Sequence, residues 1–460
     1  MVFNLNLSIL LLWSLAVSML AGCQTRPNNA TLELLEEEYP RAFFFRRAAH
    51  ITDTTSYEAW NHNFSRLSGI VVKALGEELV DTNEKLVSVD YRYIDAYYNR
   101  FKKEHPSQSL LLHFNGNARS PTYETADFYA GHWIYYNGAS ILSDLNDSDD
   151  ISEIKVSDPY LFKTGIGRFD DRMDDIGLCE LDEEGKPDWS RSEQVRLLSI
   201  NYEESTIRVK RGCYDTQPRS FPAGKSYAAA HVVSGPWCPD CQLLWLYNFS
   251  TVSPVDSNGQ RCMDVLAHDV ADRFANGGEL ASFDGIQFDV TFESISKHPL
   301  VASDYRPGSK RRPDVNADGM PDDGVFHGVN TFGEGMVAFF SKLRDLMDSD
   351  KLILADGNSP AQQRAFGIVN GIESEGWPFA SDISFSRWSA GINRNFFWDE
   401  FTPTPKLNYI NYKWKDRPDS GVMYSANRLL LAAACLTNTA VSVHFFPSPD
   451  ARPSYPYPIW

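Results

Sequence analysis

The sequence predicts an α/β fold, a (β/α)8 TIM barrel with a β-rich insertion between the second and third barrel strands. Short apolar segments alternate with helical or loop-rich segments, as in a parallel sheet with crossover helices. Eight of the apolar segments qualify as strands, which is the number that such a barrel requires. Residues 194–211 depart from this order and alternate as short strands instead.

The strand candidates are short and bounded by turn residues. They are Ala42–Phe45, Leu110–Phe114, Leu243–Asn248, Gly285–Val290, Leu352–Ala355, Gly371–Glu375, Tyr409–Tyr412 and Val441–Phe446. Apolar residues recur at helical spacing between several of them. The helix candidates are Ser56–Gly76, Asp264–Phe274, Gly333–Met347 and Ala426–Leu436.

The predicted insertion covers residues 150–230. Within it Ile207 and Val209 are apolar between polar neighbours, which is the period of a half-buried strand. After the last strand candidate, residues 447–460 contain five prolines, which exclude a closing helix. We therefore expect either a barrel that closes without its eighth helix or a sequence that is truncated after the eighth strand.

The N-terminus has the order of an export signal. An apolar run that is too short to span a membrane ends in Leu20, Ala21, Gly22 and Cys23. These four residues resemble the bacterial lipobox, in which the cysteine thiol receives a diacylglycerol. Residues 1–22 are therefore predicted as a lipoprotein signal peptide, 23–40 as a lipidated tether and 41–460 as the barrel. The alternative is a signal peptide that is cleaved elsewhere.

The residue after Cys23 indicates where the protein is exported, and the net charge of the chain limits its partners. Gln24 follows Cys23 where Asp would favour inner-membrane retention, so we expect export to the outer membrane or cell surface. The formal net charge is -18. So acidic a surface repels nucleic acid and anionic lipid, which leaves the lipid anchor as the only expected membrane contact.

Six cysteines follow Cys23, and disulfides are the default outside the cytoplasm. Cys238 and Cys241 have thioredoxin-like spacing, but they lie in a loop that opens a strand, whereas a redox motif opens a helix. A structural disulfide or a pair of loop thiols is therefore expected there.

Carboxylates end three successive strand candidates, where the active site of a barrel lies. Gln287 and Asp289 share one face of their strand because side chains alternate with a period of two. Glu373 and Glu375 do the same on a later strand, and Asp356 ends the strand between them. Paired carboxylates suit glycoside hydrolysis, although single acids at strand ends also cap helices or bind cations.

The segment Asp284-Gly285-Ile286-Gln287-Phe288-Asp289 resembles the Phe-Asp-Gly-Val-x-x-Asp strand of endo-α-1,4-polygalactosaminidases and of hypothetical glycosyl hydrolase-like barrel families. The segment Gly371-Ile372-Glu373-Ser374-Glu375 resembles their later Asp-Gly-x-x-x-Glu strand. The resemblance implies that Asp289 is the general acid and Glu375 the nucleophile or base. Glu373 is an extra inward acid, which leaves the choice between Glu373 and Glu375 open.

Other polar and aromatic residues near strand ends suit a sugar cleft, since amides bind hydroxyl groups and rings stack on sugar C–H faces. Together with Gln287 and Asp356, the predicted substrate-binding residues are His113, Asn115, Asn248 and Trp377. Residues 408–414 form a further polar and aromatic cluster around the seventh strand.

Between the fourth and fifth strand candidates, oxygen ligands alternate from residue 314 to residue 322. Asp314, Asn316, Asp318 and Asp322 have the spacing of a calcium loop, with a glycine at the turn. Val325 stands where an EF-hand has its twelfth-position Glu, so the pattern resembles dockerin or thrombospondin-type calcium loops. We expect a structural Ca²⁺ on the rim near Asp289; an acidic turn without an ion is the alternative.

These observations predict an exported lipoprotein glycoside hydrolase that cleaves a poly- or oligosaccharide. Two other functions stay open, a non-catalytic carbohydrate-binding lipoprotein on a barrel scaffold and a polysaccharide lyase. A lyase would use a Tyr or His base on a uronic acid and favours a basic cleft, which the acidic composition opposes.

Overall fold

A computed structural model describes residues 41–46, 56–72, 79–82, 85–88, 94–121, 128–166, 169–235, 242–298, 301, 308–356, 365, 367–375, 377, 384–414 and 421–445. In chain order its strands are β1 (Phe43–Arg46), β2 (Gly69–Val72), β3 (Leu79–Thr82), β4 (Lys85–Ser88), β5 (Ser109–Asn115), β6 (Ala118–Arg119), β7 (Tyr135–Tyr136), β8 (Ala139–Ser140), β9 (Ile151–Lys155), β10 (Thr164–Ile166), β11 (Phe169–Met173), β12 (Asp175–Leu181), β13 (Pro187–Asn201), β14 (Thr206–Lys210), β15 (Ser226–Ala230), β16 (Val233–Ser234), β17 (Leu244–Leu246), β18 (Gly285–Asp289), β19 (Pro313–Asp314), β20 (Val325–Phe326), β21 (Val329–Asn330), β22 (Leu352–Asp356), β23 (Gly371–Glu375), β24 (Asn408–Trp414) and β25 (Thr439–Phe445).

Three of the six helices described here begin after a polar residue whose side chain caps the first turn. They are α1 (Tyr57–Phe64), α2 (Arg100–Glu104), α3 (Cys262–Phe274), α4 (Thr331–Leu346), α5 (Phe385–Phe401) and α6 (Gly421–Leu436). The side chains of Ser56, Asn330 and Ser384 accept a backbone N–H in the first turns of α1, α4 and α5. Such caps satisfy N–H groups that have no partner inside the helix.

Eight strands form one parallel sheet in the order β1-β2-β5-β18-β22-β23-β24-β25. An isolated parallel bridge between Ala42 and Val441 also joins the chain at the start of β1 to β25. Every residue of β2, β5 and β18 is buried, as expected for parallel strands that are covered on both faces.

One face of this sheet, which we call the inner face, carries a small apolar cluster that includes Val71, Leu111, Leu354 and Tyr409. The opposite face packs against helices. Ile286 and Phe288 of β18 belong to the main hydrophobic core together with residues of α3 and α4. Because side chains alternate along a strand, Gln287 and Asp289 face inward.

Six antiparallel strands form a second large sheet in the order β8-β15-β12-β13-β14-β9. In β9 and β14 buried and exposed residues alternate, so one face of this sheet is packed and the other is solvated. The Arg211 guanidinium, just after β14, is fully buried against the Glu193 carboxylate of β13, which fixes this part of the sheet.

The predicted fold class, a (β/α)8 TIM barrel with its insertion between the second and third strands, is wrong. The structure instead combines two large sheets, one parallel and one antiparallel, and the antiparallel sheet enters after the third parallel strand. Among the described residues, no helix separates β22 from β23.

Two segments account for the error in strand order. Gly69–Val72 is the second parallel strand, although the sequence predicts these residues as part of the helix Ser56–Gly76, whereas α1 ends at Phe64. The predicted strand at 243–248 contains β17, which pairs antiparallel with β6 and β16 outside the parallel sheet. A short apolar run does not by itself specify its pairing partner.

Candidate functional site

Four polar side chains of the inner face lie at one level of the parallel sheet. Asp289 pairs with Asn115, and Asp356 pairs with Glu373. Because Phe288 of β18 pairs with Ala355 of β22, the next residues, Asp289 and Asp356, are also level. The carboxyl ends of parallel strands are where ligands bind in α/β proteins. This arrangement brings three of the predicted site carboxylates together.

Glu373 is fully buried, and side-chain amides hold both of its carboxylate oxygens. Gln287 Nε2 donates to Oε2 at 2.7 Å, and Asn411 Nδ2 donates to Oε1 at 2.7 Å. A buried charge needs such donors, since burial without them costs several kcal/mol or more. Glu373 is therefore fixed in place and separated from solvent.

The pKa of the Tyr409 phenol depends on the charges of the site. Burial first, and then the nearby carboxylates of Glu373, Asp289 and Asp356, raise the pKa of Tyr409 well above its usual value. All three acids therefore act on one buried hydroxyl group, which agrees with the strand register that places them on the inner face.

Asp289 is almost completely buried and is held at both oxygens. Its Oδ2 lies 3.2 Å from His113 Nε2, and its Oδ1 accepts the backbone N–H of Val290 at 2.9 Å. The tautomer of His113 decides which partner of the first contact carries the proton. A proton can therefore be held between the carboxyl group and the imidazole.

The backbone after Asp289 is strained. Val290 has a φ of 58°, a region that is unfavourable for a β-branched residue. The neighbouring turn approaches closely, since Gly116 donates its N–H to the Asp289 carbonyl at 2.6 Å and a Cβ on Gly116 would lie 2.7 Å from that oxygen. Backbone strain of this kind concentrates at functional sites.

Two of the acids are more exposed than Asp289 and Glu373. Asp356 and Glu375 are both half-buried at the ends of their strands. Glu375 pairs with Asn411, one inward-facing position beyond Glu373 on the same strand. A substrate at the carboxyl end of the sheet therefore meets Glu375 before it meets Glu373.

No protein-family model matches this sequence, and no curated protein matches it either. Among solved structures, the pyruvate kinase from Pyrobaculum aerophilum is similar with a TM-score of 0.33 and 7% sequence identity, over 91% of this chain and 69% of that chain. A similarity of this size carries no argument about fold or function.

The structure does not bring all predicted substrate-binding residues to the acids. Asn115 is level with Asp289, but its Oδ1 accepts the N–H groups of residues 117 and 118 and so fixes a turn. Asn248 is fully buried and donates to the Val315 carbonyl at 2.9 Å. Trp377 is 3% exposed and packs with α5 and with Ile410 on the helix-covered face.

Asn411 and Tyr409 lie next to the acids, and the sequence analysis did not single them out. The sequence pattern included them only within the cluster 408–414 and did not distinguish them from their neighbours. The period of two along β24 could have separated them, since it places 409 and 411 on one face.

The predicted calcium loop, residues 314–322, packs against the antiparallel part of the molecule. Its first strand, β19, pairs with β7, and the Tyr227 hydroxyl donates to the Gly319 carbonyl at 3.3 Å. Burial first, and then the neighbouring carboxylates of Asp322 and Asp318, raise the pKa of Asp314 to about 8. The Asp314 oxygens accept the N–H groups of Asp318 and Gly319.

Within the described ranges, no group of three or more His, Cys, Asp or Glu side chains is placed to hold a metal ion. Calcium binding by this loop therefore stays a prediction. Two of the four predicted calcium ligands are hydrogen-bonded to each other: Asn316 Nδ2 donates to Asp318 Oδ2 at 3.0 Å.

Chelation of Ca²⁺ is expected to lower the melting temperature by at least about 3 °C, and added Ca²⁺ should restore it, because an ion bound only by the folded state stabilises that state. Asp314→Asn should remove this response. Asp182→Asn is the matched control, since Asp182 accepts backbone N–H groups in an exposed turn elsewhere. A melting curve of the unaltered protein that chelator and Ca²⁺ leave unchanged would exclude the ion.

Cys179, Cys213, Cys262 and Cys435 are free thiols. The predicted pair Cys238 and Cys241 and the predicted lipidation site Cys23 lie outside the described residues. In the described part of the chain, no helix combines the length and apolar character needed to cross a membrane.

Proposed function

We propose that this protein is a glycoside hydrolase that cleaves a poly- or oligosaccharide with paired carboxylates. The observation that carries the proposal is the convergence of Asp289, Asp356 and Glu373 on the inner face, with Glu375 next to them. The similarity of two strand sequences to endo-α-1,4-polygalactosaminidases supports the same conclusion.

In this mechanism Asp289 donates its proton to the glycosidic oxygen, and the bond between that oxygen and the anomeric carbon breaks. Glu375 either attacks the anomeric carbon or removes a proton from the water that attacks it. His113, 3.2 Å from Asp289, orients the acid and shares its proton.

The strand geometry is compatible with either stereochemical course. Asp289 and Glu375 lie two strands apart, and Glu375 is two residues beyond the level of Asp289. With neighbouring strands about 4.8 Å apart and a rise of about 3.3 Å per residue, their Cα atoms lie roughly 12 Å apart. Side chains that lean toward each other then reach the range of roughly 5 to 9.5 Å that glycosidases use.

Glu373 has a different role in the proposal. Because it is fully buried and both oxygens are held by amides, it positions Gln287 and Asn411 and contributes negative charge beneath the cleft. Such charge stabilises the oxocarbenium-like transition state of glycoside hydrolysis.

The proposal is tested by digesting a library of poly- and oligosaccharides with the purified protein and with Asp289→Asn. We expect one glycan class to yield new reducing ends with the first protein and at least a hundredfold slower with the second, an effect of about two powers of ten for an acid catalyst. Binding without cleavage would support the carbohydrate-binding function instead, and unsaturated products would support a lyase.

We further propose that the lipid on Cys23 anchors the protein to a membrane, as its lipobox-like context suggests. Cys23→Ser is expected to yield a soluble or uncleaved precursor, because the lipid is the only proposed anchor. Membrane fractionation followed by immunoblotting measures the distribution. Cys435→Ser is the matched control, and unchanged membrane association of Cys23→Ser would refute the anchor.

A further inference from the structure

Three helices on the helix-covered face of the parallel sheet end in exposed apolar residues. These last residues are Leu346 of α4, Phe401 of α5 and Leu436 of α6, which are 40%, 56% and 69% exposed. The strand that next joins the parallel sheet after each helix is β22, β24 or β25. Because such a helix returns the chain to the start of the next parallel strand, all three residues lie at the amino end of the sheet. Glu375 and the other acids lie at its opposite, carboxyl end.

The chain that leads from the predicted lipidation site joins the fold at this same end. Arg41, just before β1, donates from Nη2 to Asn438 Oδ1 at 3.1 Å, and Asn438 donates from Nδ2 to Asp399 Oδ1 at 3.0 Å. Asn438 lies two residues after the end of α6, and Asp399 lies two residues before the end of α5. These contacts fix the start of β1 beside the exposed ends of α5 and α6.

The length of the predicted tether keeps this end of the sheet near the lipid. Residues 24–40 separate Cys23 from Arg41, and even a fully extended chain of this length spans at most about 60 Å. A lipid on Cys23 therefore holds a bilayer at high effective concentration around the three helix ends. Exposed apolar residues that lie together are typical of surfaces that contact another protein or a membrane.

The charges around the helix ends select the kind of lipid. Asp345 and Asp348 are exposed on either side of Leu346, and Glu400 is exposed next to Phe401. These carboxylates repel anionic headgroups, as the net charge of the whole chain does. A zwitterionic headgroup carries no net charge and avoids this repulsion.

We propose that the amino end of the parallel sheet docks on a zwitterionic bilayer, with Leu346, Phe401 and Leu436 inserted among the headgroups. The inference rests on the proposed lipid anchor and adds an orientation to it. Glu375, at the carboxyl end of β23, then faces away from the membrane, where a glycan can reach it. Because even one myristoyl chain binds a bilayer only marginally, three side chains do not hold the protein there without the lipid, and Cys23→Ser is still expected to be released.

The test uses the mature chain, residues 23–460, with Cys23→Ser and an N-terminal histidine tag that binds a nickel-chelating lipid in phosphatidylcholine vesicles. The tag holds the tether at the bilayer whether or not the natural protein is lipidated. The exposed thiol of Cys435, next to Leu436, should react with a water-soluble maleimide at least about fivefold more slowly on vesicles than in solution, because the headgroups shield it. Glu184→Cys, in an exposed turn of the antiparallel sheet, is the control and should react equally fast in both states. Peptide mass spectrometry assigns the reaction to each cysteine.

Two double variants test whether the helix ends are responsible. Phe401→Ser combined with Leu436→Ser removes two of the three apolar contacts, so its Cys435 should react on vesicles within about twofold of its rate in solution. Tyr160→Ser combined with Tyr202→Ser removes two exposed rings of the antiparallel region and should keep the protection. Circular dichroism melting curves establish that both variants are folded.

The proposal is overturned if vesicles leave the reaction rate of Cys435 unchanged, or if the Phe401→Ser, Leu436→Ser variant stays protected. Protection in solution that grows with protein concentration would overturn it in favour of a second copy of the chain. Vesicles rich in phosphatidylglycerol should protect Cys435 less, and stronger protection there would overturn the choice of a zwitterionic surface. Membrane fractionation of Cys23→Ser tests the lipid anchor separately, so a failed anchor and a failed docking surface give different results.

Discussion

Glu375→Gln is expected to reduce turnover of the cleaved glycan by at least about a hundredfold, with little change in KM. The amide preserves the shape of the side chain but can neither attack the anomeric carbon nor accept a proton from water. Glu375 is half-buried at the carboxyl end of β23, where a substrate can reach it. Initial rates on the glycan identified in the library measure the effect.

Glu373→Gln distinguishes the two acids of this strand. If Glu373 acts through its amide contacts and its charge, Glu373→Gln should retain more activity than Glu375→Gln. Part of the activity that Glu373→Gln loses should appear as a higher KM. Glu400→Gln, on the exposed side of α5, is the matched control. An active Glu375→Gln with an inactive Glu373→Gln would move the nucleophile or base two residues along the strand.

The stereochemistry of the product then measures the carboxylate separation. Retention indicates acids about 5 Å apart and a glycosyl-enzyme intermediate, whereas inversion indicates a gap of roughly 6.5 to 9.5 Å filled by water. If Asp289→Asn, Glu373→Gln and Glu375→Gln all leave hydrolysis intact, the carboxylate mechanism is refuted.

Arg211→Met is expected to lower the free energy of unfolding by about 3–5 kcal/mol, because it leaves a charged Glu193 buried without its partner. Both side chains are fully buried. Arg211 Nε donates to Glu193 Oε1 at 2.8 Å, and Arg211 Nη1 donates to the Asn146 carbonyl and to the Ser152 hydroxyl, each at 3.1 Å. Urea denaturation followed by circular dichroism measures the loss.

A second substitution tests the physical cause. Gly212 and Arg219 donate their N–H groups to different oxygens of Glu193. Adding Glu193→Gln to Arg211→Met removes the buried charge, while the single amide oxygen can still accept one of these two N–H groups. The double variant should therefore recover at least about 1 kcal/mol. Arg208→Met, at an exposed position of β14, is the control and should change stability by less than about 0.5 kcal/mol. A double variant less stable than the single one would contradict this explanation.

Several local features could be predicted from the sequence because they depend on nearby residues. The strand predicted at 285–290 is β18, and the helix predicted at 264–274 begins two residues earlier, at Cys262. The inward orientation of Gln287 and Asp289 follows from the period of two alone.

The arrangement of the strands could not be predicted in the same way. The segments 69–72 and 243–248 are both short and mostly apolar, yet one pairs in the parallel sheet and the other pairs antiparallel. Pairing depends on which distant segments fit against each run, and composition does not contain that information.

By itself the sequence determined the acidic charge of the molecule, the face of β18 and β23 on which the acids lie, and the lipobox-like N-terminus. Only the tertiary structure decided that Glu373 is sealed beneath the site by Gln287 and Asn411 and that Trp377 packs on the other face. The physical reason is that burial and hydrogen-bond partners depend on residues distant in the chain, whereas charge and periodicity are local.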